Sequence, residues 1–137
     1  MTTITSDNTS TIRTAFRANA AFSLVTGTVG LAAGGWVVDQ LGLGEGLHIL
    51  VRLIGAGLLG FAVLLLWEAR QPAQRLVPTA LQISVADFAW VLGTVALIVA
   101  GVFSTRGAII AGLIAVVVDA FASLQLWGRH KALRAAG

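Results

Sequence analysis

The sequence predicts an all-α membrane protein, an up-down-up-down bundle of four transmembrane helices built from two parallel helical-hairpin repeats. Three observations carry that expectation. Of the 137 residues, 57% are hydrophobic and 11% charged, with a mean hydropathy of +0.89. Four separate apolar runs each have about the length that crosses a bilayer. The two halves of the chain share residues at matching positions. A water-soluble domain carries about 25% charged residues, so a globule of this composition has too few polar side chains to cover itself. That excludes an ordinary cytosolic enzyme, a disordered tail and a nucleic-acid-binding domain.

The runs are residues 18–38, 47–67, 81–103 and 108–127. Each is close to the ~20 residues that span ~30 Å of hydrocarbon at 1.5 Å per residue. Backbone groups in lipid must pair within their own segment, so the runs are helices in spite of their Val, Ile and Thr. The first run follows Arg13 and Arg17 as a signal peptide's would. It exceeds the roughly 7–15 residues of a signal core, so a retained helix is expected. Residues 40–46 (QLGLGEG) read as a Gly-rich turn, residues 70–80 with Pro72 and Pro78 as the longest loop, and residues 104–107 as a tight turn. Short connections make neighbouring helices antiparallel. Residues 1–15 are expected to be a flexible cytoplasmic tail, 16–128 the transmembrane domain and 129–137 a basic cytoplasmic tail.

Charge gives the orientation. Of nine Lys and Arg, seven fall on one side of these spans: Arg13, Arg17, Arg70, Arg75, Arg129, Lys131 and Arg134. Arg52 and Arg106 are the other two. The richer side is expected to be cytoplasmic, with both termini there, in a multi-pass protein of a bacterial inner membrane. Trp67 and Trp127 mark that boundary and Trp36 the opposite one. The net charge of +3 comes without a basic stripe, so the expected partner is the lipid bilayer and not nucleic acid. Cysteine is absent, which excludes disulfides and thiolate chemistry.

The repeat pairs residues 22–31 (FSLVTGTVGL) with 88–97 (FAWVLGTVAL), six of ten identical, and residues 61–67 (FAVLLLW) with 121–127 (FASLQLW), five of seven identical. An even number of spans per unit leaves both copies in one orientation, a parallel repeat. It is either duplication of a stable hairpin or a pseudo-two-fold bundle with a site on its axis. Gly27, Gly30 and Gly34 share one face of the first span and suit close helix packing, within the chain or in a homo-oligomer or larger membrane complex.

Polar residues inside the spans are the candidate site. Asp87 lies about two turns into the third span, and Asp119 about two and a half turns from the end of the fourth, so both acids reach a similar depth. An unpaired carboxylate there costs several kcal/mol, roughly, and two close acids tend to share a proton. Asn19, Thr94, Ser123 and Gln125 lie at compatible depths. The group reads either as interhelical glue or as a proton- or cation-binding pocket. A second cluster, Asp39, Glu45, His48 and Arg52, borders the first turn, where an acid can pair with Arg52 and close the bundle top. The two histidines, His48 and His130, fall on opposite sides, so neither a zinc site nor a bis-histidine haem is expected, and no cofactor is. No Ser-His-Asp arrangement, HExxH or Walker lysine occurs, and enzymatic activity is not expected.

The stretches Arg17 to Ser23 (RANAAFS), Leu41 to Gly44 (LGLG), Arg52 to Gly55 (RLIG) and Asp87 to Gly93 (DFAWVLG) resemble small bacterial four-span membrane proteins, and the gross architecture is similar to that of DoxX-like proteins. That resemblance implies a fold and no activity. The expected function is a non-enzymatic structural or accessory membrane subunit that self-associates. Two alternatives remain: a small carrier or channel using the Asp pair, and a binder of lipid or a small apolar ligand.

Overall fold

The computed structural model describes residues 4, 5 and 7–137, and every regular element among them is helical. One 3-10 turn, Asp7–Thr9, leads into α1 (Ser10–Ala32), and a second, Glu45–Leu47, precedes the helix that begins at His48. Four further helices follow: α2 (Gly34–Leu41), α3 (His48–Glu68), α4 (Ala73–Val99) and α5 (Thr105–Ala136). The segments Glu45–Glu68, Ala73–Val99 and Thr105–Ala136 are each long and apolar enough to cross a membrane. The α1–α2 pair makes a fourth if taken as one broken span, bent by 99°.

That bend corrects the expected continuous helix over 18–38. Ala33 leaves helical geometry at φ −123° and ψ 35°. Two glycines follow it, each about 1 kcal/mol poorer than Ala in a helix interior. The lack of a side chain at Gly34 also lets α2 lie on α3, since a Cβ there would come within 2.7 Å of Arg52 Cγ. α2 ends on Gly42 at φ +67°. Leu43 N–H bonds Val38 O at 3.0 Å and Gly42 N–H bonds Asp39 O at 3.2 Å, a Schellman cap that needs a left-handed residue. α4 ends the same way on Gly101. Ser104 then caps α5 by accepting from Gly107 N–H at 3.1 Å, and its own N–H donates to Leu41 O at 3.0 Å. This ties the α2 end to the α4–α5 turn.

The expected loop over 70–80 is shorter in the structure, because α4 starts at Ala73. Pro72 is its N-cap, and Pro78 sits only in its second turn, where it deprives one carbonyl of its donor. Burial of Leu76, Val77 and Ala80 offsets that loss. The expected tails also differ. Residues 1–3 and 6 lie outside the described residues. From Ser10 the chain is helical, and Ile12 and Phe16 are fully buried. Residues 129–136 continue α5, with Ala132 buried. The apolar positions in these basic flanks fall one helical turn apart, which is enough to extend the helices beyond the hydrocarbon-length runs.

α1 runs antiparallel to α3, Gly27 meeting residues 55–59 and Gly30 residues 51–55. α4 runs antiparallel to α5, Ser84 reaching Ala122 and Gly112 facing Ile98. The two pairs join through α1 and α5, where the Phe22 and Phe121 rings lie 5.8 Å apart and Gly128 rests on Ile12. α3 and α4 do not pack along their lengths. The core therefore gathers at the end that holds Ile12, Phe16, Leu65, Leu76, Ala80 and Ala132. The opposite half is splayed. Leu53, Leu92, Val99, Leu113 and Val116 on the outside are 64–81% exposed, apolar area that favours lipid over water by roughly 25 cal/mol per Å².

Candidate functional site

Three helices bring five polar side chains to the boundary between the packed core and the splayed half. α4 buries Ala80, Ile83, Ser84 and Asp87, one face at three- and four-residue spacing. α1 continues its Phe16–Ala20 stripe with Asn19 and Ser23, and α5 presents Ala122 and Gln125. Asp87 is 4% exposed and Gln125 fully buried. Asn19 Nδ2 donates to Asp87 Oδ2 at 2.9 Å, and Gln125 Nε2 donates to the same oxygen at 3.1 Å. Ser84 Oγ, 3.1 Å from Gln125 Oε1 and 3.2 Å from Ala122 O, fixes the amide. Ser23 Oγ donates to Asn19 Oδ1 at 3.4 Å. Asp87 thus accepts two amide N–H groups on one oxygen. No donor among the described residues reaches Oδ1.

Above this layer lies a cavity of about 990 Å³ between the two helix pairs. Its walls include Phe22, Val51, Leu58, Trp90, Leu97 and Ile114, and Asn19, Ser23 and Asp87 line it at the core end. Among the described residues, Asp87 is the one charged residue on its lining. Thr26 and Thr94 also line it, but their hydroxyls donate to their own helices, at Phe22 O (2.8 Å) and Trp90 O (2.9 Å).

Among the expected site residues, Asn19, Asp87 and Gln125 come together, and Thr94 lines the same cavity without joining the network. Asp119 and Ser123 do not join it. Both lie exposed on α5, beside the buried Val118 and Ala122, and neither makes a side-chain hydrogen bond. The two acids share a depth but not a face. Nor does the second cluster form the expected ion pair. Asp39 and Glu45 are exposed, His48 Nδ1 lies 2.7 Å from Glu45 O, and Arg52 lays its stem under Gly34. Asp39 instead offers its backbone oxygen to Arg106 at 3.4 Å. Gly27 and Gly30 are taken up by α3 within the chain.

Two features were not read from the sequence. Ser84 stands three residues before Asp87, a same-face spacing that was available as a signal. Glu68, 5% exposed, is paired with Arg75 at 2.9 Å, and Arg75 in turn lies 4.6 Å over the Trp67 ring. That is the only ion pair among the described residues. No group of three His, Cys, Asp or Glu comes together among them that could hold a metal ion.

Helices of this length and apolarity define an integral membrane protein. Comparison of the chain with known protein families, with curated proteins and with solved structures returns no match.

Proposed function

We propose that this membrane protein binds a small apolar or lipid-like molecule in the cavity between its helix pairs. The observation that carries this reading is the cavity itself: about 990 Å³, at the upper end of the range for ligand pockets, apolar along its walls and polar at one end. A lipid-like occupant meets both surfaces at once. The self-associating accessory subunit has less support, because α3 covers the glycine stripe that would serve an oligomer. The carrier with an Asp pair has less support too, because Asp119 faces away from Asp87.

The reading includes a topology. Four spans cross alternately, α1 with α2 counting as one, and the end rich in Lys and Arg is cytoplasmic in a bacterial inner membrane. It also includes the repeat. The repeat relates α1 to α4 and α3 to α5, so the counterpart of the α1–α5 interface is α4 against α3. In place of a counterpart to the Phe22–Phe121 contact, Phe61 lines the cavity and makes no ring contact with Phe88. The cavity is then the open one of two equivalent seams.

Trp36 and Trp90 line the cavity, and Trp67 and Trp127 do not. A terminally brominated dodecanol added to the protein in a neutral detergent is expected to quench fluorescence saturably through the first two. Gly93 lines the cavity with nothing within 4 Å of a Cβ placed there, so Gly93→Phe places a ring in the ligand's path without strain and is expected to remove the saturable component. Quenching that never saturates, or that survives this substitution, overturns the reading.

A further inference from the structure

We infer that the cavity is selective for amphiphiles whose head is a single ammonium cation, seated on Asp87 Oδ1. This rests on the ligand-binding reading above and assigns the chemical class of its ligand. The observation is the asymmetry of the Asp87 carboxyl. Oδ2 receives both protein donors, from Asn19 and Gln125. Oδ1 receives none among the described residues, although the side chain is almost wholly buried and lines the cavity. An acceptor that faces the cavity with no protein donor, at the polar end of apolar walls, is matched by a donor from whatever fills that space.

The rest of the lining narrows the choice. Among the described residues no Lys, Arg or His lines the cavity, so a carboxylate or phosphate head has no side-chain cation to meet and would stand against the Asp87 carboxylate. The Asn19 and Gln125 side-chain oxygens are already engaged by Ser23 and Ser84, and the Thr26 and Thr94 hydroxyls by their own helices. Asp87 Oδ1 is therefore the open polar atom of the acid, and in the carboxylate form, which an ammonium beside it favours, it accepts only. A protonated amine supplies an N–H donor and a compensating charge together, and its apolar body lies along Trp90, Leu97 and Ile114. A hydroxyl supplies the donor without the charge. A zwitterionic phospholipid brings an amine, but with a phosphate the chamber cannot compensate.

The test uses the full chain in neutral detergent and a terminally brominated dodecylamine that quenches the cavity tryptophans. Dodecylammonium, dodecanol, dodecanoate and lysophosphatidylethanolamine compete against it. Dodecylammonium is expected to bind about tenfold or more tighter than dodecanol, as a desolvated charge contact requires, with dodecanoate and the lysophospholipid weaker still. Asp87→Asn, checked for helix content by circular dichroism, is expected to lower dodecylammonium affinity about tenfold and change dodecanol affinity by less than about threefold. If that variant does not fold, the ranking on the unaltered protein decides alone.

Saturable binding that Gly93→Phe abolishes, but with dodecanol or dodecanoate equal to dodecylammonium, overturns the head-group assignment and leaves the cavity reading standing. A lysophospholipid that binds as tightly as dodecylammonium overturns the restriction to a single positive charge. Absence of saturable binding for every probe overturns both inferences together.

Discussion

Asn19 Nδ2 donates to Asp87 Oδ2 across 2.9 Å, and at the middle of the molecule this one bond joins α1 to α4. Both groups are almost completely buried, so removing either one leaves the other short of a protein partner. Asn19→Leu keeps the branched heavy-atom shape, at a larger volume, and deletes the donor, and it is expected to cost about 1–3 kcal/mol. Gln125→Leu should cost a similar amount, since it removes the second donor and leaves Ser84 with Ala122 O alone. Because both act on one oxygen, the double substitution is expected to depart from the sum of the two. Asp119→Asn, on the exposed face of α5, is expected to stay within about 0.5 kcal/mol of the parent. Thermal denaturation in detergent, followed by circular dichroism, separates these outcomes. Equal losses at Asn19 and Asp119 would contradict the network.

The glycines of α3 divide into two kinds. A Cβ on Gly55 would stand 2.5 Å from Leu31 N and 2.8 Å from Gly27 O, backbone atoms that cannot yield locally. Gly57 and Gly60 face open space. Gly55→Ala is therefore expected to push α1 from α3 and cost about 1–3 kcal/mol. Gly57→Ala and Gly60→Ala should gain up to about 1 kcal/mol through helix propensity. The same melting measurement reads the opposite signs, and destabilisation at all three positions would count against the α1–α3 packing described.

These examples show which parts of the structure were legible in the sequence. Depth is a matter of counting at 1.5 Å per residue from a charged end, and so Asn19, Asp87 and Gln125 could be placed in one layer. Direction around the helix was not legible. In a soluble helix the buried face announces itself by hydropathy, but when lipid surrounds the bundle both faces are apolar. Val118 and Ala122 are buried and Val116 is exposed without any difference in character, and depth alone groups Asp119 with Asp87 without saying which way it faces. The break at Ala33 is not legible because the composition stays apolar through it, and only the pair Gly34–Gly35 marks the weak point. A site on the axis between the halves is one of the readings the repeat leaves open, but the size and lining of the cavity are not legible, since they arise from α3 and α4 failing to pack.

The Glu68–Arg75 pair gives a prediction about order. Glu68 is nearly buried, while the Arg75 side chain is half exposed and lies over Trp67. Removing the arginine leaves a carboxylate that cannot reach water, whereas removing the acid leaves a guanidinium that can. Arg75→Ala is therefore expected to lower the melting temperature more than Glu68→Gln, with the difference reduced in high salt by screening of the exposed partner. The reverse order would mean that the pair is solvated and structurally minor.

The path of α1 and α2 separates a broken span from a re-entrant loop, and it is testable because the chain has no cysteine of its own. Asp7, Glu45 and His130 are exposed and precede α1, precede α3 and stand near the end of α5. Three spans after Glu45 put it on the side opposite His130 whatever α1 does. Asp7 decides the question. If α1 crosses, Asp7 shares the side of His130, and if α1 and α2 dip in and return, it shares the side of Glu45. The contact of Ile12 with Gly128, near the end of α5, favours crossing. With Asp7→Cys, Glu45→Cys and His130→Cys made singly, an impermeant maleimide is expected to label the Glu45→Cys protein in intact cells. The other two should react only after the membrane is opened. Labelling of the Asp7→Cys protein in intact cells would make the α1–α2 elbow re-entrant, and labelling of His130→Cys there would invert the orientation drawn from the seven basic residues.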